Sequence, residues 1–309
     1  MDLSTRYLGL QLRHPFMPGA SPLTADLDTA RKLEDADAAA VVLPSLFEEE
    51  IVRYEPTADR YLEHLFRLKK RLAIPVIASL NGTAPQSWLR YARLIEQAGA
   101  DALELNFYYV PTDLAENSAA VERRVVDIVA VLKESMAIPL AVKLSPFYSS
   151  LPHLAAELDQ IGADGLVLFN RFFEPDIDPE RLAPTWNLTL SNSSELGLRL
   201  QWIAILAGRL KASLAVSGGV HEPMDAVKAI LAGANAVQLV TTLIAYGPAR
   251  LHQLLRAVER WGDDHGYTSI DQLRARVSQL RCADPDTFRR GNYVRLLQSA
   301  QPTEPLVRQ

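Results

Sequence analysis

A chain of 309 residues, 48% hydrophobic and 22% charged, has the make-up of a globular protein, which excludes disordered, collagen-like and coiled-coil readings. Its 32 Lys and Arg against 37 Asp and Glu leave a net charge of -5, without the basic footprint of a nucleic-acid binder. The single cysteine, Cys282, excludes an internal disulfide, a thiolate-held zinc and an iron–sulfur cluster carried by this chain alone, and suits a reducing cytoplasm. Residues 1–6 show no basic-then-apolar leader, and no run approaches the roughly 18 apolar residues of a spanning helix, so a soluble protein without a signal peptide is expected.

In chain order, segments 7–12 and 13–17 predict a hairpin placed before the main fold, plugging its N-terminal end. Short apolar runs then recur at 16–20, 39–44, 75–81, 102–107, 140–145, 165–170, 214–218 and 236–241. Helical segments begin near Asp26, Ala58, Pro85, Leu114, Leu151, Leu198, Glu222 and Pro248. Several helices reach the next strand through a Gly-Ala turn, at Gly99-Ala100, Gly162-Ala163 and Gly233-Ala234, where glycine supplies the left-handed C-terminal residue. Strands alternating with helices in this way predict a parallel sheet in an α/β protein. Eight such units favour a (β/α)8 TIM barrel forming one domain over 1–309, with an open doubly wound sheet as the competing arrangement. The 171–197 connection after the sixth strand, containing Pro175, Pro179 and Pro184, has the length of a lid, and 263–309 reads as a short helical and irregular tail.

Alternation along a strand separates two faces. In the fourth strand Leu103, Leu105 and Phe107 oppose Glu104 and Asn106; in the fifth, Val142 and Leu144 oppose Lys143 and Ser145. If the apolar faces meet helices, the polar ones point into the barrel, joined by Ser79, Asn81, Asn170, Ser217 and Gln238, mostly near strand C-terminal ends where barrel enzymes carry their sites. The plainer alternative is mutual satisfaction, for example a buried Glu104–Lys143 pair. The seventh and eighth strands end in Ser217-Gly218-Gly219 and Thr241-Thr242, the usual place for a phosphate in this fold, although a tight turn also explains the paired glycines.

Other motifs carry less. His14, His64, His153, His221, His252 and His265 lack metal-ligand spacing, and there is neither a Walker loop nor GxGxxG, so neither a metal nor a Rossmann nucleotide site is expected. His221-Glu222-Pro223 near the phosphate position reads as helix capping, and Asp113 as a cap before Leu114. Arg123-Arg124 and Arg289-Arg290 read as solvated charge.

With these residues placed, the whole chain resembles the dihydroorotate dehydrogenase family of FMN-dependent barrels. The resemblance is carried by Leu8-Gly9-Leu10, Pro15-Phe16-Met17 leading to Gly19-Ala20-Ser21, Glu104-Leu105-Asn106, Val142-Lys143-Leu144 and Ser217-Gly218-Gly219. The segments from Phe107 to Asp113 and from Lys143 to Phe147 are similar to a subgroup of dihydroorotate dehydrogenase-like proteins whose reaction the name does not settle. The resemblance implies FMN as cofactor, with Ala20 and Ser21 bordering the flavin, Ser45 beside it, Asn106 and Lys143 bonded to its ring, and Gly218, Gly219, Thr241 and Thr242 holding its phosphate. Two-electron reduction leaves negative charge on the flavin, and a fixed ammonium at Lys143 would stabilise it. Asn81 and Asn170 are the expected substrate contacts.

The departures concern the substrate side. The family's Cys or Ser base, three positions after the strand-four asparagine, is Tyr109 here, and a neutral phenol suits proton donation better than abstraction. Pro111 replaces a pyrimidine-holding asparagine, Leu43-Pro44-Ser45 stands where the family places a lysine, and the loop at 50–59 looks too short for a further substrate asparagine. The expected activity is therefore hydride transfer between FMN and a small organic, dihydropyrimidine-like substrate, with dihydroorotate itself disfavoured and Lys143 and Tyr109 as catalytic residues. Electrons would pass to a soluble acceptor or a partner subunit, and the resemblance implies a homodimer. The competing readings are a Schiff-base aldolase using Lys143, and a non-catalytic subunit binding FMN or a metabolite.

Overall fold

A computed structural model describes residues 1–53, 56–81, 85–172, 174–186, 189–289 and 291–299. The strands in chain order are β1 Thr5–Tyr7, β2 Leu10–Leu12, β3 Phe16–Pro18, β4 Val41–Phe47, β5 Val76–Asn81, β6 Ala102–Asn106, β7 Leu140–Leu144, β8 Gly165–Leu168, β9 Asp176–Asp178, β10 Ala183–Thr185, β11 Ser213–Ser217 and β12 Ala236–Leu239. Eight of them form one parallel sheet in the order β3-β12-β11-β8-β7-β6-β5-β4. The outer strands meet where the Ala39 amide donates to the Phe16 carbonyl at 3.0 Å. The sheet thus closes as a (β/α)8 TIM barrel rather than the open alternative. Around it stand α1 Leu27–Asp35, α2 Glu48–Arg53, α3 Pro56–Arg71, α4 Pro85–Gln97, α5 Ser118–Ser135, α6 Leu151–Gln160, α7 Leu196–Leu206, α8 Pro223–Ala232, α9 Thr241–Tyr246, α10 Ala249–Asp264 and α11 Gly291–Ser299.

Carboxylates stitch the N-terminal face with a period of two βα units. Glu34 Oε1 accepts from Ala73 N at 2.7 Å, Glu96 Oε1 from Ala137 N at 2.8 Å, and Asp159 Oδ1 from Ala212 N at 2.7 Å, each joining one helix end to the loop before a later strand. Each acid lies three positions before a left-handed residue, Asp37 (φ 70), Gly99 (φ 93) and Gly162 (φ 91). Asp101 and Asp164 then accept from Val76 N and Leu140 N at 2.7 and 2.8 Å, and from Lys69 Nζ and Lys133 Nζ.

The sequence assigns the hairpin one segment too late. It is β1 against β2, antiparallel, turning through Leu8 and Gly9 at φ 53 and 73. Residues 13–15 lead directly into β3 and pair with nothing in the hairpin. Its plugging role holds. Tyr7, Leu8 and Leu12 pack among Met17, Val42, Ile77, Val167 and the small Ala102, Ala141, Ala215 and Ala236 on the barrel's inner side. Alanines on four strands leave the volume that the hairpin fills.

Two other boundaries move. α5 begins at Ser118, capped by Asn117 Oδ1 accepting from Ala120 N at 2.9 Å, whereas Asp113 closes a turn to Ala115 N. β12 ends at Leu239, so Thr241 opens the short helix α9 instead of ending a strand. The 50–59 segment runs through α2 and α3, with 54–55 outside the described residues. The tail is described to residue 299 and runs back across the N-terminal face, where Ile270 N donates to Asp2 O at 2.8 Å and Gln279 N to Ala204 O at 2.9 Å. No helix among the described residues is long and apolar enough to cross a membrane.

Candidate active site at the C-terminal rim

Above the alanine layer, the strand period of two brings the next inward side chains together: Ser79, Glu104, Lys143 and Gln238, all buried. Lys143 Nζ lies 3.3 Å from Glu104 Oε1 and 3.1 Å from Gln238 Oε1, while Gln238 Nε2 donates to Glu104 Oε2 at 2.5 Å. The mutual-satisfaction alternative is thus present in the structure. Two buried charges are tolerated because the carboxylate is met by both an ammonium and an amide. Lys143 keeps 5% exposure toward the rim and is held in place from below.

The next level up is Asn81, Asn106 and Ser145. Pro44 has no amide proton, and the β4–β5 register slips by one residue between Val42 and Ser45, a bulge. The Tyr61 hydroxyl takes up the slack by accepting from Ser79 N at 2.8 Å and donating to Ser79 O at 3.1 Å. The bulge sets Ser45 Oγ 2.8 Å from Ser79 Oγ, and Asn106 Nδ2 donates to Ser45 Oγ at 3.2 Å. Asn106 Oδ1 and Asn81 Nδ2 are buried with no partner. An orphan acceptor and an orphan donor side by side on a barrel rim match a ring that presents N–H and C=O groups.

At the opposite side of the rim, Gly218 and Gly219 have φ 87 and 78, which favour glycine. A Cβ on Gly219 would lie 2.7 Å from Leu196 N, and one on Gly218 would lie 2.9 Å from Arg199 Nη2. The pair is therefore demanded by packing against α7 as well as being available to an anion. Buried Arg199 donates to Ser217 O and to Glu195 O at 2.6 Å each, and burial lowers its pKa. Thr242 is 1% exposed with its Oγ1 unpartnered, and Thr241 Oγ1 accepts from Ser191 Oγ at 2.9 Å. His221 Nε2 lies 3.2 Å from Ser191 Oγ; burial holds its pKa below the usual imidazole value against the pull of Asp225, Glu195 and Glu222. Glu222 and Asp225 form the capping box of α8 expected from His221-Glu222-Pro223.

The remaining expected residues divide. Ser21 is buried and donates to Gly19 O at 3.0 Å, beside half-buried Ala20. Asn170 Nδ2 donates to Phe107 O at 3.0 Å and points its amide at the β6–β7 rim. Tyr109 stands apart from the lysine cluster. Its hydroxyl donates to Glu116 Oε2 at 2.5 Å, Glu116 pairs with Arg124, and the Arg124 guanidinium lies 4.6 Å over the Tyr109 ring. Arg124, read as solvated from its sequence, is a member of this knot, whereas its neighbour Arg123 has 63% of its side chain exposed. Tyr108 stacks on Phe172 at 4.4 Å and Phe147 meets Phe172 edge-on at 5.3 Å, forming an aromatic cluster. Phe147, Phe172, Tyr109 and Arg124 line an apolar hollow of about 230 Å³.

Sequence reasoning left out Ser191 and Glu116 and set Arg124 aside as solvated charge. Glu116 and Arg124 were spaced eight residues apart across an unrecognised cap, and nothing in the 171–197 sequence marks Ser191.

A (β/α)8 barrel with buried polar side chains gathered at its C-terminal rim is the architecture of a barrel enzyme. The family model for dihydroorotate dehydrogenase matches residues 54–261, and the chain belongs to this oxidoreductase family. It is 28% identical to a putative dihydroorotate dehydrogenase A (fumarate) of Aeropyrum pernix, over 88% of this chain and 96% of that one. It is 27% identical to the catalytic subunit of dihydroorotate dehydrogenase B (NAD(+)) of Thermoplasma acidophilum, over 88% and 97%. It is 24% identical to the NAD-dependent dihydropyrimidine dehydrogenase subunit PreA of Escherichia coli K12, over 88% and 76%.

Proposed function

We propose that this chain is an FMN-dependent oxidoreductase that transfers a hydride between the flavin and a small, uncharged dihydropyrimidine-like ring. The observation that carries this reading is the rim constellation of Lys143, fixed by Glu104 and Gln238, beside Asn106 and Asn81 with their unpartnered amide atoms. When bound, FMN would supply the hydride-accepting ring. Lys143 would place positive charge where the reduced ring becomes negative, Asn106 Oδ1 would accept from a ring N–H, and Ala20, Ser21 and Ser45 would border the ring. Gly218, Gly219, Thr241 and Thr242 would hold the phosphate. Asn81 and Asn170 would orient the substrate, and the 171–197 segment would shield it as a lid.

An uncharged substrate is preferred because the rim arginines are already committed: Arg171 Nη2 lies 3.3 Å from Glu195 Oε1, and Arg124 pairs with Glu116. The Lys143 ammonium is likewise engaged, with Glu104. Tyr109 would donate the proton that accompanies the hydride when the substrate ring is reduced, and its oxygen would take that proton back when the ring is oxidised and the hydride goes to the flavin. The Schiff-base alternative requires a free amine, and Lys143 is ion-paired at 3.3 Å. Because two of the relatives are named as subunits, reoxidation by a partner subunit is part of the proposal; a homodimer, implied by the sequence resemblance, and a reducing cytoplasm, suited to a lone cysteine, complete it.

The test is anaerobic mixing of FMN-loaded protein with dihydrouracil, dihydrothymine and dihydroorotate, following the flavin's visible absorbance. Bleaching by the uncharged rings, and slower or no bleaching by dihydroorotate, is expected. Failure of all three to reduce a bound flavin would overturn the substrate class, and failure to bind flavin would overturn the cofactor.

A further inference from the structure

The 171–197 connection leaves the rim after β8, projects the exposed hairpin β9–β10, and returns to the corner where β11 and β12 end. Its returning end is fastened to the groups expected to hold phosphate. Ser191, only 6% exposed, donates to Thr241 Oγ1 at 2.9 Å and stands 3.2 Å from His221 Nε2. Two residues on, Ser193 Oγ donates to Asp225 Oδ2 at 2.6 Å, the carboxylate that also accepts from His221 N and Glu222 N at the start of α8. Thr242, buried and without a partner for Oγ1, is the next residue after Thr241. The Ser191 and Thr241 hydroxyls and the His221 imidazole therefore meet where β11 and β12 end, the corner that also carries the Gly218-Gly219 turn. The cations nearby are turned to other tasks: Arg250 donates to His221 O and Glu222 Oε1, and Arg199 to two carbonyls. A phosphate here would be gripped by neutral donors, and one of those donors belongs to the lid.

We propose that Ser191 and His221 are phosphate ligands, so that the cofactor's phosphate seats the returning end of the 171–197 segment and couples cofactor loading to closure over the substrate. The inference rests on the flavin reading for its natural ligand, but its physical content is narrower: a phosphate monoester dianion bridges a loop to the β11–β12 corner. A ligand with the same ring and no phosphate would bind without closing the lid.

Limited trypsin digestion reads this directly. Arg181, between β9 and β10, has 82% of its side chain exposed, and cutting there needs local opening of the segment. FMN and inorganic phosphate should each slow cleavage after Arg181 several-fold, and riboflavin should not. Ser191→Ala should abolish that protection and weaken FMN about tenfold, the loss of one hydrogen bond to a charged group, while leaving riboflavin affinity unchanged. His221→Phe should act in the same direction. Ser193→Ala, which loosens the anchor without touching the phosphate, should speed cleavage in every state yet keep the FMN-to-riboflavin affinity ratio of the native chain. Equal protection by riboflavin and FMN, or an unchanged ratio in Ser191→Ala, would overturn the coupling. If neither flavin binds, the flavin reading fails and the inorganic phosphate arm decides alone: protection lost in Ser191→Ala supports the site, and absence of protection in the native chain overturns it.

Discussion

Removing Lys143 should expose how the rim is held together. At 3.3 Å, and with an effective dielectric near 20, the attraction between Lys143 and Glu104 is about 5 kcal/mol before desolvation is counted. Broken buried pairs cost about 3–5 kcal/mol, because the remaining charge is left enclosed. In Lys143→Met the Glu104 carboxylate keeps its Gln238 amide at 2.5 Å, which places the loss near the lower end, about 3 kcal/mol. An unfolding entropy of about 2.1 cal/mol/K per residue converts this to a fall in Tm of about 5 °C for a chain of this length. Adding Glu104→Gln removes the stranded charge, so the double variant should recover to within about 1 kcal/mol of native. Urea and thermal unfolding of the flavin-free proteins at neutral pH, followed by circular dichroism, measure both. A single variant as stable as native, or a double variant whose loss is the sum of the two singles, would refute the pairing argument.

Two further outcomes follow from the same geometry. His14 is buried, its Nδ1 accepts from Phe16 N at 3.2 Å, and burial lowers its pKa from 6.5 to about 4. Both folded and unfolded chains hold it neutral above about pH 6.5; below that the unfolded chain gains the proton first, so stability should fall by about 3 kcal/mol between pH 6.5 and 4, and His14→Gln should flatten that slope in urea titrations. Gly219→Ala should destabilise more than Gly218→Ala, because its Cβ meets the Leu196 backbone whereas the other meets the movable end of Arg199. The left-handed backbone alone costs each about 1–2 kcal/mol, and comparison of their thermal midpoints decides the order.

The barrel was legible because its signals are local. Apolar β-branched runs, period-two alternation and glycine at the helix ends placed each barrel strand within a few residues, and the inward set Ser79, Glu104, Lys143 and Gln238 followed from alternation alone. One repeated signal was on view and unused: the acids Glu34, Glu96 and Asp159, each three residues before a left-handed turn, mark the stitched face. The asparagine at 117, not the aspartate at 113, fits the capping position once the helix period is counted from its buried residues Val125, Ile128, Val129 and Leu132. What alternation does not carry is reach across the chain. Tyr109 was expected with Lys143 as a catalytic residue, and its hydroxyl joins Glu116 and Arg124 away from the lysine cluster, because loop side chains follow no period. Ser191 was invisible for the same reason: its contacts with His221 and Thr241 span 30 and 50 residues.

The most direct measurement is the reduction potential of bound FMN in the native chain and in Lys143→Met, determined anaerobically against reference dyes. If Lys143 neutralises charge on the reduced ring, the native chain binds FMN and its two-electron potential lies above that of the variant by about 30–60 mV, corresponding to about 1.4–2.8 kcal/mol. A native chain that takes up no FMN, or equal potentials in the two proteins, would contradict the assignment of this rim as a flavin site.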